Sequence, residues 1–143
     1  MEKKMNILLS DLVFFYHKLQ SYHWYIAGRT FFQTHAKLEE YYDQIRDQID
    51  EVAETMLMVG YRPVSTMAGF AENAKIKDAP GNYENDEKVV FASVLADFKY
   101  LLDSVKAIKS EADDSNDYLV SAKMDEAIES YSKAIWMLSQ AAM

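Results

Sequence analysis

The stretch LEEYYDQIRDQIDEVAETMLMVG, residues 38–60, decides the fold. Leu38, Tyr42, Ile45, Ile49, Val52, Met56 and Val59 follow one another at alternating steps of four and three. An α-helix turns once in about 3.6 residues, so this alternation draws an apolar seam along one side of a rod. Such a seam is that of a helix packed in a bundle. Gly60, with Pro63 just beyond, supplies the expected stop.

The same periodicity extends both ways from this helix. Upstream, Leu8, Leu12, Phe15, Leu19 and Ile26 predict a helix over about 4–27. Gly28-Arg29-Thr30 interrupts it, with Thr30 placed to cap the helix that follows. Downstream, Phe91, Val94, Phe98, Leu101, Val105 and Ile108 predict a helix over about 85–110. Ile128, Tyr131, Ile135 and Leu138 predict another over about 116–141, after the polar turn Asp113-Asp114-Ser115-Asn116. The segment from Tyr61 to Glu84 is too long for a tight antiparallel connection, and Thr66 to Asn73 reads as a short helix inside it. The fold class is therefore all-α: a four-helix bundle with one long crossover, carrying a short helix, between its second and third long helices. That is the ferritin-like topology, here as a single domain over residues 1–143.

Composition agrees. The chain has 143 residues, enough for one substantial core, and only four Gly and two Pro to punctuate a many-stranded sheet. With no cysteine, disulfides and thiolate metal sites are excluded, which fits a reducing cytoplasm. Residues 1–6 lack the apolar run of a secretory signal. Nowhere are there the roughly 18 consecutive apolar residues that span a bilayer. We therefore expect a cytoplasmic protein without membrane contact. The net charge of −8 and scattered basic residues argue against direct DNA binding, because phosphates repel such a surface.

Five residues carry the chemistry: His23, His35, Glu39, Asp50 and Glu54. Imidazole and carboxylate without thiolate suit iron, zinc or manganese and lean away from structural zinc. His35 and Glu39 stand four apart and share a helix face, as do Asp50 and Glu54. The two pairs are about 22 Å apart along a helix rising about 1.5 Å per residue, so no single ion touches both. A short turn folds the first helix back on the second and brings His23 level with His35. A second subunit related by a two-fold axis would then bring its Asp50 and Glu54 to His23, His35 and Glu39, and symmetry would build the reciprocal site. The within-chain di-iron bundle needs Glu three residues before a histidine on two helices. Phe14, Gln20 and Phe32 occupy those positions before His17, His23 and His35, so that motif is absent.

At these residues the sequence resembles the Dps family, the small ferritin-like proteins of starved bacteria. His23-Trp24-Tyr25-Ile26-Ala27-Gly28 through Phe31-Phe32 to His35 is similar to the family's His-Trp…Gly…Phe…His signature, and Asp50-Glu51-Val52-Ala53-Glu54 to its Asp-x-x-x-Glu. The resemblance is specific over about residues 15–66. It implies a hollow homo-dodecamer with ferroxidase sites at its two-fold interfaces, oxidising Fe²⁺ with hydrogen peroxide and storing the ferric mineral. It gives the ligand role to His23, His35, Asp50 and Glu54 and an assisting role to Glu39, where many members have Asp. It also makes Asp113, Asp114 and Asp117 candidates for lining an iron pore, which as residues read equally well as a capping turn. The Lys-rich tail of DNA-condensing members has no counterpart before the first helix. Trp24 would adjoin the metal, and with Tyr25 is a candidate to intercept stray oxidising equivalents.

Two other readings compete. One is a non-enzymatic helical-bundle assembly that binds metal incidentally. The other is a phosphotransfer bundle with His17 as acceptor, which leaves the ligand spacing of the other two histidines unexplained.

Overall fold

The computed structural model describes residues 1–143. Five helices follow in order: α1 (Glu2–Tyr25), α2 (Phe31–Met58), α3 (Met67–Asn73), α4 (Glu87–Asp114) and α5 (Tyr118–Ala141). The four long ones form the bundle, and short α3 rides on the crossover, as the spacing predicts. The helix ends differ from expectation by at most four residues, and the last helix ends at 141 as expected. Asp113 and Asp114 belong to the last turn of α4, not to the turn after it, and α5 begins at Tyr118 rather than at 116.

Local hydrogen bonds explain where the helices stop. After α2 the amide of Tyr61 donates to the Met56 carbonyl at 2.8 Å, and that of Gly60 to Leu57. Gly60 sits at φ +90°, the left-handed conformation this closure needs. After α4, Asn116 takes the same role at φ 59°, with Asp117 N–H bonding the Ala112 carbonyl. Asparagine is among the few side chains that tolerate this region. Asp117 then caps α5 by accepting from the Val120 amide. Thr66 caps α3 by accepting from Gly69. Thr30 departs from expectation. It occupies the position before α2 but caps no amide; its hydroxyl instead reaches Glu87 at the start of α4.

Cross-links along the helices fix the topology. Tyr100 on α4 meets Asp11 on α1, Lys18 meets Asp97, and Tyr22 meets Ser93, so α1 and α4 run antiparallel. Gln48 on α2 bonds both Ser130 and Tyr131 on α5. The crossover starts beside the beginning of α1, where Val64 N–H donates to Asn6. It ends at the other end of the bundle, where Ile26 and Glu84 form a parallel bridge just after α1.

The core contains the expected residues Leu8, Leu12, Phe15, Leu19, Ile45, Val52, Met56, Val94, Phe98, Leu101, Val105, Ile108, Tyr131 and Leu138, all buried. At about 25 cal/mol per Å² of apolar surface removed from water, this contiguous cluster is what holds the rods together. One adjustment matters for the site. On α2 it is Tyr41, not Tyr42, that enters the core, packing edge-on against Phe98. Tyr42 is only partly buried and turns toward α1, where its ring meets Tyr16.

Candidate metal centre

The last turn of α1 and the first turns of α2 meet across the short connection Ile26–Thr30. Two backbone bonds with the end of the crossover hold this connection: Ala27 N–H to Glu84 O, and Glu84 N–H to Tyr25 O. Gly28, at φ +97°, lets the chain turn beside Asn85, where an added Cβ would stand 3.5 Å from the Asn85 carbonyl oxygen. The result sets His23 and His35 face to face, with ring centroids 3.5 Å apart and planes 15° from parallel.

The two histidines hold each other reciprocally. His23 Nδ1 lies 2.7 Å from the His35 carbonyl oxygen, and His35 Nδ1 lies 2.8 Å from the His23 carbonyl oxygen. A carbonyl only accepts, so both Nδ1 atoms carry a proton and donate. In a neutral imidazole the proton on Nδ1 leaves a lone pair on Nε2. The backbone has therefore chosen the tautomer that leaves the outer nitrogen of each ring as a ligand. A metal-binding histidine is ordinarily oriented by such a bond from its other nitrogen.

Glu39 completes the group. Its Oε1 is 3.7 Å from His23 Nε2, and one ligand atom from each of His23, His35 and Glu39 lies within 4.8 Å of the other two. His23 is buried, His35 partly so, and Glu39 exposed, so the group is anchored at the back and open at the front. Nitrogen and oxygen donors without sulfur fit Fe²⁺ among divalent ions, and three donors leave its coordination incomplete. Tyr42 sets its ring edge-on against His23, centroids 5.2 Å apart. Desolvation, then the neighbouring carboxylates Glu39 and Asp43, raise its phenol above the ordinary tyrosine value. Phe31 stacks on the other face of the pair, 4.8 Å from His35.

Of the five residues singled out by spacing, three come together within the chain and two do not. Asp50 and Glu54 lie exposed about four turns further along α2. Trp24 is beside His23 in sequence, yet it points outward, 56% exposed, with its ring against His17. Tyr25 packs on Tyr83. The aromatic neighbours that touch the imidazoles are Phe31 and Tyr42, the second of which the seam placed in the core. Among the acidic candidates at the far end of the bundle, Asp117 caps α5, Asp113 pairs with Lys109 and Ser121, and Asp114 is exposed. No helix is long and apolar enough to cross a membrane.

Comparison with known proteins agrees with the fold. The ferritin-like domain family matches residues 2–142. A "DNA protection during starvation protein" of Brevibacillus brevis is 34% identical over 134 residues, covering 94% of this chain and 89% of that protein. Among solved structures, antigen TpF1 from Treponema pallidum superposes with a TM-score of 0.95 at 29% identity, over 99% of this chain and 90% of its own. A Dps protein from Bacillus brevis gives 0.94 at 31% identity, over 99% of this chain and 94% of its own.

Proposed function

The chain belongs to the Dps family of ferritin-like proteins, and from that premise we propose that it oxidises Fe²⁺ with hydrogen peroxide and stores the ferric product inside a homo-oligomeric shell, a dodecamer by the family resemblance. Iron here is substrate and cargo. His23, His35 and Glu39 bind it from one subunit, and Asp50 and Glu54 of the partner subunit bind it across a two-fold axis. The observation that carries this reading is the reciprocal hydrogen bonding of the two histidines, which leaves both Nε2 lone pairs free beside the Glu39 carboxylate.

Other features support the two-subunit site. The three donors leave an open side, and the two carboxylates that would close it stand exposed on the same helix. An antiparallel copy of α2 laid alongside would exchange these half-sites by symmetry alone. Beside them Trp24 and Phe32 are 56% and 82% exposed, an apolar surface that a partner would cover.

The chain's contribution is to gather two ferrous ions near one peroxide. Each ion gives up one electron, the O–O bond breaks, and two protons complete two water molecules, so no hydroxyl radical leaves. The carboxylates offset charge as each ion goes from 2+ to 3+, and the hydrogen-bonded imidazoles hold their positions without rearranging.

The test is to load the protein anaerobically with Fe²⁺, add hydrogen peroxide, and follow ferric absorbance and trapped radical beside the Asp50→Ala/Glu54→Ala variant. Fast oxidation with little radical, lost in the variant, is the expected result. Oxidation no faster than in buffer, or equal in both proteins, would leave a helical assembly that binds metal incidentally.

A further inference from the structure

Two-electron reduction of peroxide needs two electrons, and a site holding a single Fe²⁺ can give one. With no second donor, the other oxygen leaves as hydroxyl radical. Of the two other rings packed on the imidazoles, Phe31 is not readily oxidised and Tyr42 is. Tyr42 sits one helical turn beyond Glu39, edge-on to His23 at 5.2 Å and 83°. Behind it the ring of Tyr16 follows at 5.7 Å and 88°, and the Tyr16 hydroxyl accepts a hydrogen bond from Gln20 at 3.2 Å. A second oxidisable ring thus backs the first, away from the ligand atoms. The two aromatic residues that follow His23 in sequence are less well placed. Trp24 meets His17 at the surface and Tyr25 meets Tyr83.

We propose that Tyr42 is the electron reserve of the half-filled site, donating the second electron when only one Fe²⁺ is bound. This rests on the iron-oxidation reading above. In the first step one Fe²⁺ and the Tyr42 phenol each give one electron to hydrogen peroxide. The O–O bond and the phenolic O–H bond break, and the products are Fe³⁺, one hydroxide, one water and the Tyr42 phenoxyl radical. The next Fe²⁺ to arrive returns an electron to Tyr42 and solvent returns a proton, which restores the phenol and yields the second Fe³⁺. The sum is the ordinary two-iron reaction, carried out without requiring both ions at once. Tyr42 acts through its contact with His23, so its role is that of a relay.

The experiment mixes the assembled protein, loaded with one Fe²⁺ per site, with hydrogen peroxide and freezes it for electron paramagnetic resonance. Parallel samples carry a spin trap for hydroxyl radical. Wild-type protein should show a tyrosyl signal that disappears when a second Fe²⁺ is added. Tyr42→Phe should lose that signal and release several-fold more trapped radical at one Fe²⁺ per site, but no more than wild type at two. Co²⁺ titration should be unchanged in Tyr42→Phe, which separates electron donation from a packing role, and Tyr83→Phe should behave as wild type throughout. A tyrosyl signal that survives in Tyr42→Phe, or an equal radical yield, overturns the proposal. So does fast oxidation by the wild type with no tyrosyl signal at all, whatever the variants do. Failure of the wild type to outpace buffer is a different outcome, because it removes the iron-oxidation reading itself.

Discussion

Helix α1 contributes to two buried polar clusters about three turns apart, and they end in opposite states. In its middle, fully buried Asp11 accepts from the amides of Lys75 and Ile76 in the crossover and from the Tyr100 hydroxyl on α4. Nearby, Lys18 lies 2.8 Å from Asp97. Here both carboxylate oxygens of Asp11 accept hydrogen bonds, and Lys18 and Asp97 pair with each other. Near its end, His23 and His35 use one ring nitrogen each on the backbone and leave the other without a protein donor. Buried polar groups are costly unless paired, so a closed cluster holds elements together and an open one is arranged to receive a ligand. The comparison separates a structural staple from a binding site without reference to any ion.

Removing the open cluster should have the largest effect on binding and a small one on the fold. His23→Leu with His35→Leu should abolish Co²⁺ binding at this position in a calorimetric titration, while the thermal midpoint moves by only a few degrees. Metal binding that survives would place the site elsewhere and break the comparison outright.

Removing the closed cluster should do the reverse. Asp11→Ala leaves two amides and a buried hydroxyl without an acceptor, a loss of about 3 kcal/mol in urea unfolding. Hydrogen exchange at Lys75 and Ile76 should quicken, and Co²⁺ binding should stay as in the wild type. An equal loss of metal affinity would mean that the two clusters are one unit. The Tyr100 phenol is held well above its ordinary value by burial and then by Asp11, so in the wild type it remains the donor of this bond across the working pH range.

The smallest effect is expected where the ion pair beside Asp11 is replaced as a unit. Lys18→Met with Asp97→Leu exchanges a buried ion pair for apolar contact and should change stability by only about 1 kcal/mol near neutral pH, in either direction. The pH dependence sharpens this. Burial raises the Asp97 carboxyl, outweighing the attraction of Lys18. A proton held more tightly in the folded chain than in the unfolded one gives stability that is lost as pH rises through the raised value. Relative to the wild type, the double variant should therefore gain as pH climbs from the ordinary aspartate range through that raised value. Unfolding curves across that range check the slope, and a slope of opposite sign would refute the assignment.

Much of this was legible from sequence because it is local. The alternation of four and three from Leu38 to Val59 defines a rod whatever surrounds it. Gly60 marks its end because few other residues accept φ +90°. His35 and Glu39 share a face by helix geometry alone, and His23 reaches them because the connection between α1 and α2 is too short to allow much else. The family signature rests on these same residues.

Other features were decided only when the helices packed. Tyr41 and Tyr42 are adjacent, about 100° apart around α2, and which one enters the core depends on how far the helix rolls against α4 and α5. That roll sends Tyr41 to Phe98 and leaves Tyr42 against His23. Thr30 finds Glu87, 57 residues away, in place of a local amide. Asp11 meets Lys75, Ile76 and Tyr100 across separations of 64 to 89 residues. The choice of imidazole tautomer depends on two carbonyls in different helices. Periodicity reports which side of a rod is apolar, because each residue's direction follows from its neighbours along the chain. It carries no record of hydrogen bonds between distant residues, since those depend on the relative placement of whole helices.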